Sequence, residues 1–280
     1  MFTLAQFSDT HLGAPTPLFR GNFERLAAAL ATSPPDVLVA SGDVSLDGAD
    51  READFALTAD CYRRLPGKVL CVPGNHDVGD HPDRAPRQPV NAERLARFRH
   101  YMGEDVWAMD REGWRLLGLN SQVMGSGLPE EAAQLDFIAA QLDSLGDRLL
   151  AVFLHKPFFI ADPADPIFDY WSVPPFARAA LAPLYEHKAL RLIGSGHLHL
   201  HHAQRRGAAT LAWAPSVAFI VAPEEQPDLP GERPCGWLLH RFGPDAVETE
   251  LVAPAGMERP HIHEVREEAY PSSPLLAKAG

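Results

Sequence analysis

The segment KVLCVPGNHD, residues 68–77, joins a short apolar run directly to a proline, a glycine and the polar side chains that follow them. An apolar run of this length that ends in turn residues is typical of a buried strand whose carboxyl end enters a loop. The same pattern recurs in FTLAQFSDTH (2–11), DVLVASGD (36–43), RLLGLNS (115–121), LLAVFLHKP (149–157) and ALRLIGSGHLH (189–199). The sequence therefore predicts a set of buried strands that carry polar side chains at their ends.

Helical patterns separate these strands and favour the α/β class, because strands and helices alternate along the chain. The predicted helices cover residues 22–31, 49–64, 90–102, 129–145 and 175–188.

The pattern changes near residue 205 to consecutive strand-like segments. These are RRGAATLAWAP (205–215), SVAFIVA (216–222) and GWLLHRFGPDAVETELVA (236–253), the last with a hairpin turn at 242–245. No Gly/Ser-rich or charged linker precedes them, so we expect a second sheet rather than a second domain. The predicted architecture is two packed sheets flanked by helices, with one domain over residues 1–256 and a C-terminal tail over 257–280.

Composition and charge restrict the class of protein. The chain has 25 basic and 37 acidic residues, a formal charge of −12, which argues against binding to a nucleic-acid polymer. Its three cysteines fit no disulfide framework or metal-binding pair, which favours reduced thiols in the cytoplasm. The sequence predicts neither a signal peptide nor a membrane span, and it does not determine whether the protein is a monomer or a homo-oligomer.

Polar side chains at the strand ends are expected to meet, because the carboxyl ends of strands in an open α/β sheet converge on one crevice. These residues are Asp9, His11, Asp43, Asn75, His76, Asp77, His155, His197 and His199. Seven of them, all except His76 and Asp77, are predicted oxygen or nitrogen ligands that suit Mn, Fe, Zn or Co ions. Two such ions can hold a phosphoryl group and activate water, which favours hydrolysis of a phosphate ester.

The sequence resembles the calcineurin-like metallophosphoesterases in five strings that occur in the family's order. The strings are SDTHL, SGDVSLDG, PGNHD, LHKP and GHLH, and they span residues 8–199. The pattern is closest to class III cyclic-nucleotide phosphodiesterases and glycerophosphodiesterase-type members. This resemblance implies a four-layer α/β/β/α sandwich with two divalent or mixed-valence transition metal ions, bridged by a carboxylate and by the hydroxide that attacks phosphorus in line.

The resemblance also implies which residues hold each ion. The first ion is assigned Asp9, His11, Asp43 and His199, and the second is assigned Asp43, Asn75, His155 and His197, so Asp43 is the bridging carboxylate. His197 and His199 have the same parity along an extended segment and are expected to serve different ions. In the same run, His201 is expected to pack rather than to reach the site, and His202 is expected to take no part.

His76 is expected to contact the phosphate together with Asn75 and to protonate the leaving oxygen. The chain departs here from many relatives, which carry an Asp three residues after the bridging Asp to orient this histidine. This sequence has Leu46 at that position and Asp47 one place later. The sequence therefore leaves the orienting partner of His76 open.

Other departures and loops carry further expectations. Lys156 stands where phosphodiesterase-like relatives often have a second histidine, and strand parity points it away from the ligands. Asp77 is expected to cap a turn or orient a loop. The Pro-rich segments 79–90 and 157–176 are expected to form the rim of the site. Four aromatic residues of the second segment either line a pocket or fasten the loop: Phe158, Phe168, Tyr170 and Trp171.

The leading hypothesis is a dinuclear metal-dependent phosphoesterase that acts on a small phosphodiester, either a cyclic nucleotide or a glycerophosphodiester. Alternatives within the same superfamily are a DNA-repair-type nuclease and an esterase of phosphomonoesters or phosphonates. A metal-binding scaffold without activity is a further alternative, against which the intact ligand set and His76 argue.

Overall fold

The computed structural model describes residues 1–14 and 16–269, and the apolar runs of the sequence form its central strands. In chain order the strands are β1 Phe2–Phe7, β2 Val37–Ser41, β3 Val69–Val72, β4 Trp107–Arg111, β5 Trp114–Gly118, β6 Leu149–Phe153, β7 Leu190–Ser195, β8 His202–Arg206, β9 Ala209–Trp213, β10 Trp237–Phe242 and β11 Val247–Val252. Each of the six apolar runs with a polar end is confirmed as a strand. The edge strand β4 was not predicted.

In the described residues, these strands form two mixed sheets. The first has the order β11-β10-β1-β2-β3, and the second has the order β4-β5-β6-β7-β9-β8. Strands β1, β2 and β3 are parallel, as are β5, β6, β7 and β9. The ligand-bearing ends of each parallel set therefore lie on one edge of its sheet.

The expectation that the C-terminal strands form a second sheet of their own is wrong. Strand β9 pairs with β7 and extends the second sheet, whereas β10 pairs antiparallel with β1 and extends the first. Each thereby supplies hydrogen-bond partners to a strand that would otherwise be a sheet edge. The hairpin turn after Phe242 is confirmed, but residues 216–222 form a loop with isolated bridges to Ser8 and His261 instead of a strand.

In chain order, the helices of the described residues are α1 Arg20–Thr32, α2 Glu52–Tyr62, α3 Asn75–Val78, α4 Ala92–Met102, α5 Pro129–Asp143, α6 Pro175–Tyr185 and α7 Arg266–Ala269. The longer helices α1, α2 and α4 cover the outer face of the first sheet, and α5 and α6 cover that of the second. All five predicted helices are present, and the short helices α3 and α7 were not predicted.

Alternate side chains of the strands explain the layer order, because successive residues of a strand point to opposite faces. Ala5 of β1 packs with Phe23 of α1, whereas the preceding Leu4 packs between the sheets. Leu116 of β5 shares that core between the sheets, and Leu117 packs under α5 and α6. The predicted four-layer α/β/β/α sandwich is therefore confirmed.

The described part of the tail packs against the body. Ile262, Val265 and Ala269 are buried in one apolar cluster with Leu46 and Phe219, among others. Residues 270–280 of the predicted tail lie outside the described residues. Within residues 1–14 and 16–269, no helix is both long enough and apolar enough to cross a membrane.

Candidate metal centre

The loops after five strands bring the predicted ligands to one buried site between the two sheets. The first sheet supplies residues after β1, β2 and β3, and the second supplies residues after β6 and β7. The seven predicted ligands and His76 are each at most 7% exposed. The ligands are Asp9, His11, Asp43, Asn75, His155, His197 and His199. Their ligand atoms form three groups, each within 4.8 Å: Asp9, His11 and His199; His11, Asp43 and His76; and Asp43, His155 and His197.

The backbone of this site is strained. A positive φ is unfavourable for residues other than glycine, and such strain concentrates at functional sites. Among the described non-glycine residues, only one positive φ lies elsewhere, at Glu112. The others are Asp9 (55°), His11 (43°), Asp43 (48°), His197 (68°) and His199 (51°). The fold thus holds five of the predicted ligands in a conformation that their own preferences disfavour.

The first ligand group consists of Asp9, His11, Asp43 and His199. His199 Nε2 lies 3.2 Å from Asp9 Oδ1, and His11 Nε2 lies 3.4 Å from His199 Nε2. His11 Nε2 is also 3.8 Å from Asp43 Oδ2. These nitrogen and oxygen atoms therefore face one small volume.

The second ligand group consists of Asp43, Asn75, His155 and His197. His155 Nε2 lies 3.3 Å from Asp43 Oδ2 and 3.2 Å from His197 Nδ1. Asn75 lines the cavity that also contains Asp43 and His197. The same Asp43 oxygen thus approaches His155 of this group and His11 of the first.

Main-chain carbonyls orient three of the histidine rings. His155 Nδ1 lies 2.9 Å from the Ser41 oxygen, and His199 Nδ1 lies 2.8 Å from the Phe219 oxygen. In the third ring, His197 Nε2 is 3.0 Å from the oxygen of Tyr170. A carbonyl oxygen only accepts, so the ring nitrogen beside it carries the proton in each case. In the neutral ring, the opposite nitrogen can offer its lone pair to a cation, as metal-binding histidines require, and a charged ring must first lose its proton.

Burial and neighbouring charges shift the protonation of the ligand groups. Burial alone lowers the pKa of His155, but the Asp43 carboxylate raises it to about 9. For Asp9, burial acts to raise the pKa, but the charge of His199, its hydrogen bond and the charge of His155 together lower the pKa to about 2. Burial also holds the pKa of His11 and His197 well below the ordinary value. The metal-free site therefore contains carboxylates together with both neutral and charged imidazoles.

The residues present fit metal ions. Oδ1 of Asp9 and Oδ1 of Asn75 are buried and accept no hydrogen bond from the described residues. A buried oxygen without a partner is costly, and a cation satisfies it. Carboxylate, amide and imidazole donors together suit Mn, Fe, Zn or Co ions.

Glycine at position 74 makes room for the shared carboxylate. A Cβ atom on Gly74 would lie 2.1 Å from Asp43 Oδ1 and 2.4 Å from the Asp43 nitrogen. No side chain fits there unless Asp43 moves. Gly74 of the GNHD motif therefore allows Asp43, which both ligand groups share, to keep its position.

His76 is oriented by a main-chain group. Its Nδ1 lies 2.7 Å from the carbonyl oxygen of Leu46, and its backbone N–H donates to Asp43 Oδ1 at 2.8 Å. This contact identifies an orienting partner that the sequence left open, and it comes from the backbone of the residue whose side chain departs from the family pattern. The third group of ligand atoms, His11, Asp43 and His76, places this ring beside the centre.

Asp77 braces two loops. Its carboxylate accepts hydrogen bonds from the backbone of Val44, Ser45 and Gly74 and from the hydroxyl of Ser45. Burial, followed by repulsion from Asp43, raises the pKa of Asp77 to about 6. The expectation that Asp77 orients a loop agrees with these contacts.

Lys156 lies next to the centre as a buried ion pair. Its Nζ donates to Asp80 Oδ2 at 2.6 Å and lies 4.7 Å from the centre of the Tyr170 ring. Both charged side chains are at most 6% exposed. The lysine thus binds a cavity-wall carboxylate at the position where relatives often carry a histidine.

A cavity of about 660 Å³ opens onto the ligand groups. Segment 84–88 and two residues of the second loop, Tyr170 and Trp171, form part of its wall, in agreement with the predicted rim loops. Phe158 instead belongs to the core under the second sheet, and Phe168 contacts Arg84. Of the four aromatic residues, Tyr170 and Trp171 therefore line the cavity, whereas Phe158 and Phe168 make packing contacts.

Several wall residues were not predicted, among them Ile262 and Arg266 of the tail. No local pattern in the tail signals this position. At the other histidines of the run 197–202, His201 Nδ1 lies 3.1 Å from the Trp213 oxygen, and the His202 ring contacts the Trp213 ring. Both contacts fit packing rather than metal binding.

A buried cluster of carboxylates and imidazoles at the strand ends of an α/β/β/α sandwich defines a metal-dependent hydrolase centre. The chain belongs to the calcineurin-like phosphoesterase family, which matches residues 2–201. It is therefore a metal-binding phosphoesterase.

Individual relatives support this assignment. The chain is 29% identical over 250 residues to a probable cyclic nucleotide phosphodiesterase of Synechococcus sp. This alignment covers 87% of this chain and 88% of the relative. It is 30% identical over 237 residues to the 3′,5′-cyclic adenosine monophosphate phosphodiesterase of Pseudomonas aeruginosa, with 79% and 78% covered. The fold is similar to that of a dimetal phosphatase from Danio rerio, with a TM-score of 0.60, 13% identity, and 89% and 95% of the two chains covered.

Proposed function

We propose that this chain hydrolyses a small phosphodiester, with cyclic nucleotides as the first candidate substrates. The observation that carries the proposal is the position of Asp43, whose carboxylate approaches histidines of both ligand groups. A single carboxylate between two sets of donors is what a centre for two ions requires. Two relatives that align over most of their length bear names of cyclic nucleotide phosphodiesterases.

The first ligand group would hold one ion and the second ligand group the other, with Asp43 common to both. When bound, two such ions supply a nucleophilic hydroxide at neutral pH and neutralise the charge of the phosphoryl group. The chemistry of the donors supports Mn, Fe, Zn or Co as the ions.

His76 is the proposed general acid. Leu46 keeps the proton on its Nδ1, so its Nε2 is the nitrogen that can exchange a proton with the leaving oxygen. Asn75 and His76 both line the cavity, where they can contact the phosphate. A general acid in this position typically contributes about 10²–10⁴-fold to the rate.

The cavity wall supports a substrate with an apolar part and a modest charge. Tyr170 and Trp171 supply aromatic surface to the wall, which also contains Arg84, Arg87 and Asp47. Aromatic side chains suit a nucleobase, which stacks on them. The formal charge of −12 argues against a long polyanion such as DNA.

Three further proposals concern the whole chain. The buried cysteines form no disulfide, which supports the reducing environment of the cytoplasm. Residues 1–256 are proposed as a single catalytic domain. The tail residues Ile262 and Arg266 complete its cavity.

A panel of metals and substrates tests the proposed activity. The chelator-treated protein is reloaded with Mn²⁺, Fe²⁺, Zn²⁺ or Co²⁺ and assayed on cyclic nucleotides, glycerophosphodiesters, phosphonate monoesters, phosphomonoesters and DNA. We expect the highest kcat/KM on a cyclic nucleotide. Faster hydrolysis of monoesters with every metal would contradict the preference for diesters, and salt-dependent cleavage of DNA would favour the nuclease alternative.

A further inference from the structure

Tyr170 contacts two members of the second ligand group through different atoms. Its hydroxyl accepts a hydrogen bond from Asn75 Nδ2 at 3.0 Å, and its main-chain oxygen lies 3.0 Å from His197 Nε2. Its ring centre is also 4.8 Å from that of His197. The residue lies 95 positions from Asn75 in the sequence, within a loop that carries no predicted ligand.

The hydroxyl of Tyr170 engages the donor end of the Asn75 amide. A side-chain amide has a donor end and an acceptor end, and its orientation follows from its hydrogen bonds. Because Nδ2 is engaged by Tyr170, the buried Oδ1 remains as the atom with no hydrogen-bond donor among the described residues. Oxygen, not the amide nitrogen, is the end that binds a cation.

Other residues hold the loop so that Tyr170 keeps this position. Asp169 Oδ1 accepts hydrogen bonds from the backbone N–H groups of Trp171 and Ser172. The buried Arg178 donates to the Val173 oxygen at 2.9 Å and to the Ser172 hydroxyl at 2.9 Å. The loop is thus fastened on the C-terminal side of Tyr170 by a buried cation.

A further contact bears on the tyrosine ring itself. Lys156, paired with Asp80, has its ammonium 4.7 Å from the ring centre. A cation over an aromatic ring is attracted to it, and more strongly where water is excluded. Lys156 therefore helps to fix the plane of the ring, and with it the direction of the hydroxyl.

We propose that Tyr170 is a positioning residue that sets the affinity of the second ligand group for its ion. Its hydroxyl orients Asn75, and its carbonyl orients His197. Both contacts are made to members of the second ligand group, so the effect is expected at the ion of that group. The inference rests on the proposed function, because it assumes that the centre binds two ions.

Removal of the hydroxyl tests the proposal while the ring stays in place. The full-length, chelator-treated wild type and Tyr170→Phe are titrated with Mn²⁺, and free Mn²⁺ is measured by electron paramagnetic resonance. We expect one of the two binding constants to weaken by about 10- to 100-fold in the variant, which is the usual effect of losing a partner of a metal ligand. The other constant is expected to match that of the wild type.

A matched control removes a hydroxyl elsewhere. Tyr185 of α6 packs against Phe158 and Phe159, away from the ligand groups, and Tyr185→Phe should leave both constants at wild-type values. A double-mutant cycle then tests whether the Tyr170 hydroxyl acts on metal binding through Asn75. If the hydroxyl acts through Asn75, Tyr170→Phe should weaken binding in the wild-type background and add no further loss to Asn75→Ala.

The results separate this inference from the proposed function. If the wild type binds two ions and Tyr170→Phe leaves both constants unchanged, or weakens both equally, the role of Tyr170 is wrong and the two-ion centre stands. An additive loss in the Asn75→Ala background would also overturn the role assigned to the hydroxyl. If the wild type binds fewer than two ions, the two-ion centre is wrong and this inference falls with it.

Discussion

The Nδ1 atom of His76 lies 2.7 Å from the main-chain oxygen of Leu46, so a backbone group orients this ring. Because a carbonyl oxygen cannot donate, this contact keeps the proton on Nδ1. A backbone oxygen also carries no full charge, so it orients the ring without adding an anion to a site that already contains Asp9 and Asp43. The chain therefore keeps a defined histidine tautomer despite an apolar side chain at position 46.

The role of His76 can be tested by His76→Asn. An amide can still donate to the Leu46 oxygen, but it is a poor acid, so kcat should fall by about 10²–10⁴-fold. Elemental analysis should still find the wild-type amount of bound metal. Loss of metal in this variant would instead make His76 a ligand, as its position in the group with His11 and Asp43 permits.

Substitution of the shared carboxylate should affect both ions. Asp43→Asn keeps an oxygen for the His76 N–H but removes the charge that both ligand groups use. We expect both binding constants to fall by more than the roughly 10–100-fold that follows loss of an outer partner. Asp50→Ala, which removes a carboxylate from the cavity wall outside the ligand groups, is the control. Loss of only one ion from Asp43→Asn would contradict a bridging position.

A methyl group at position 74 should displace the same carboxylate without changing any ligand. The Cβ of Gly74→Ala would lie 2.1 Å from Asp43 Oδ1, and overpacking of this kind costs about 1–3 kcal/mol. Metal binding and activity should fall together. Gly67→Ala is the control, since its Cβ meets only Leu38 Cδ1 at 3.9 Å, and its effect should stay within about 0.5 kcal/mol. Equal metal contents in the two variants would refute the steric argument.

The metal-free protein should lose stability as the pH rises above neutrality. Burial alone lowers the pKa of His155, but Asp43 at 3.3 Å raises it to about 9, above the ordinary 6.5. The folded state therefore holds this proton more tightly than the unfolded chain does. The resulting stability is fully present below pH 6.5 and disappears as the pH rises through 9.

Thermal denaturation in chelator across this range measures the effect. We expect Tm to decline between pH 6.5 and 9 in the wild type and to decline less in His155→Gln. The lowered pKa values of His11 and His197 affect stability below pH 6.5 and so leave this window unchanged. A wild-type Tm that rises with pH in the absence of metal would show that the His155–Asp43 pair is not formed.

The buried ion pair beside the cavity predicts a strong dependence on both partners. Lys156→Met leaves the Asp80 carboxylate buried without its cation, which typically costs about 3–5 kcal/mol. The double variant Lys156→Met, Asp80→Asn removes both charges and should recover most of that loss in chemical denaturation. If the double variant is no more stable than the single one, the two charges do not stabilise each other as the geometry implies.

The clustering of the predicted ligands was predictable from the sequence because each member lies in a short string directly after an apolar run. The edge strand β4 escaped prediction because its sequence, WAMDR, contains no apolar run and is partly exposed. The division of the C-terminal strands between two sheets was also missed, since β10 pairs with β1 across most of the chain. Local periodicity does not encode pairing over such distances.

Two contacts that orient the site have no signal in the sequence. Every residue type has a main-chain carbonyl, so the identity of residue 46 does not mark its carbonyl as the partner of His76. Tyr170 lies in an aperiodic, Pro-rich loop, and its bond to Asn75 depends on how that loop is folded. The residue types of the candidate metal centre were therefore predictable from short sequence motifs. The contacts that orient these residues are visible only in the tertiary structure.

The site combines residues that are far apart in the sequence. The backbone N–H of His197, for example, donates a hydrogen bond to Asp9, 188 positions away. Each proposed ion needs donors from the first sheet and donors that follow β7. On the ribosome, Asp9, His11 and Asp43 emerge early but lack His155, His197 and His199 until residues 155–199 have been made. Metal loading is therefore among the last events of synthesis, and a truncated nascent chain that stops before His197 completes neither ligand group.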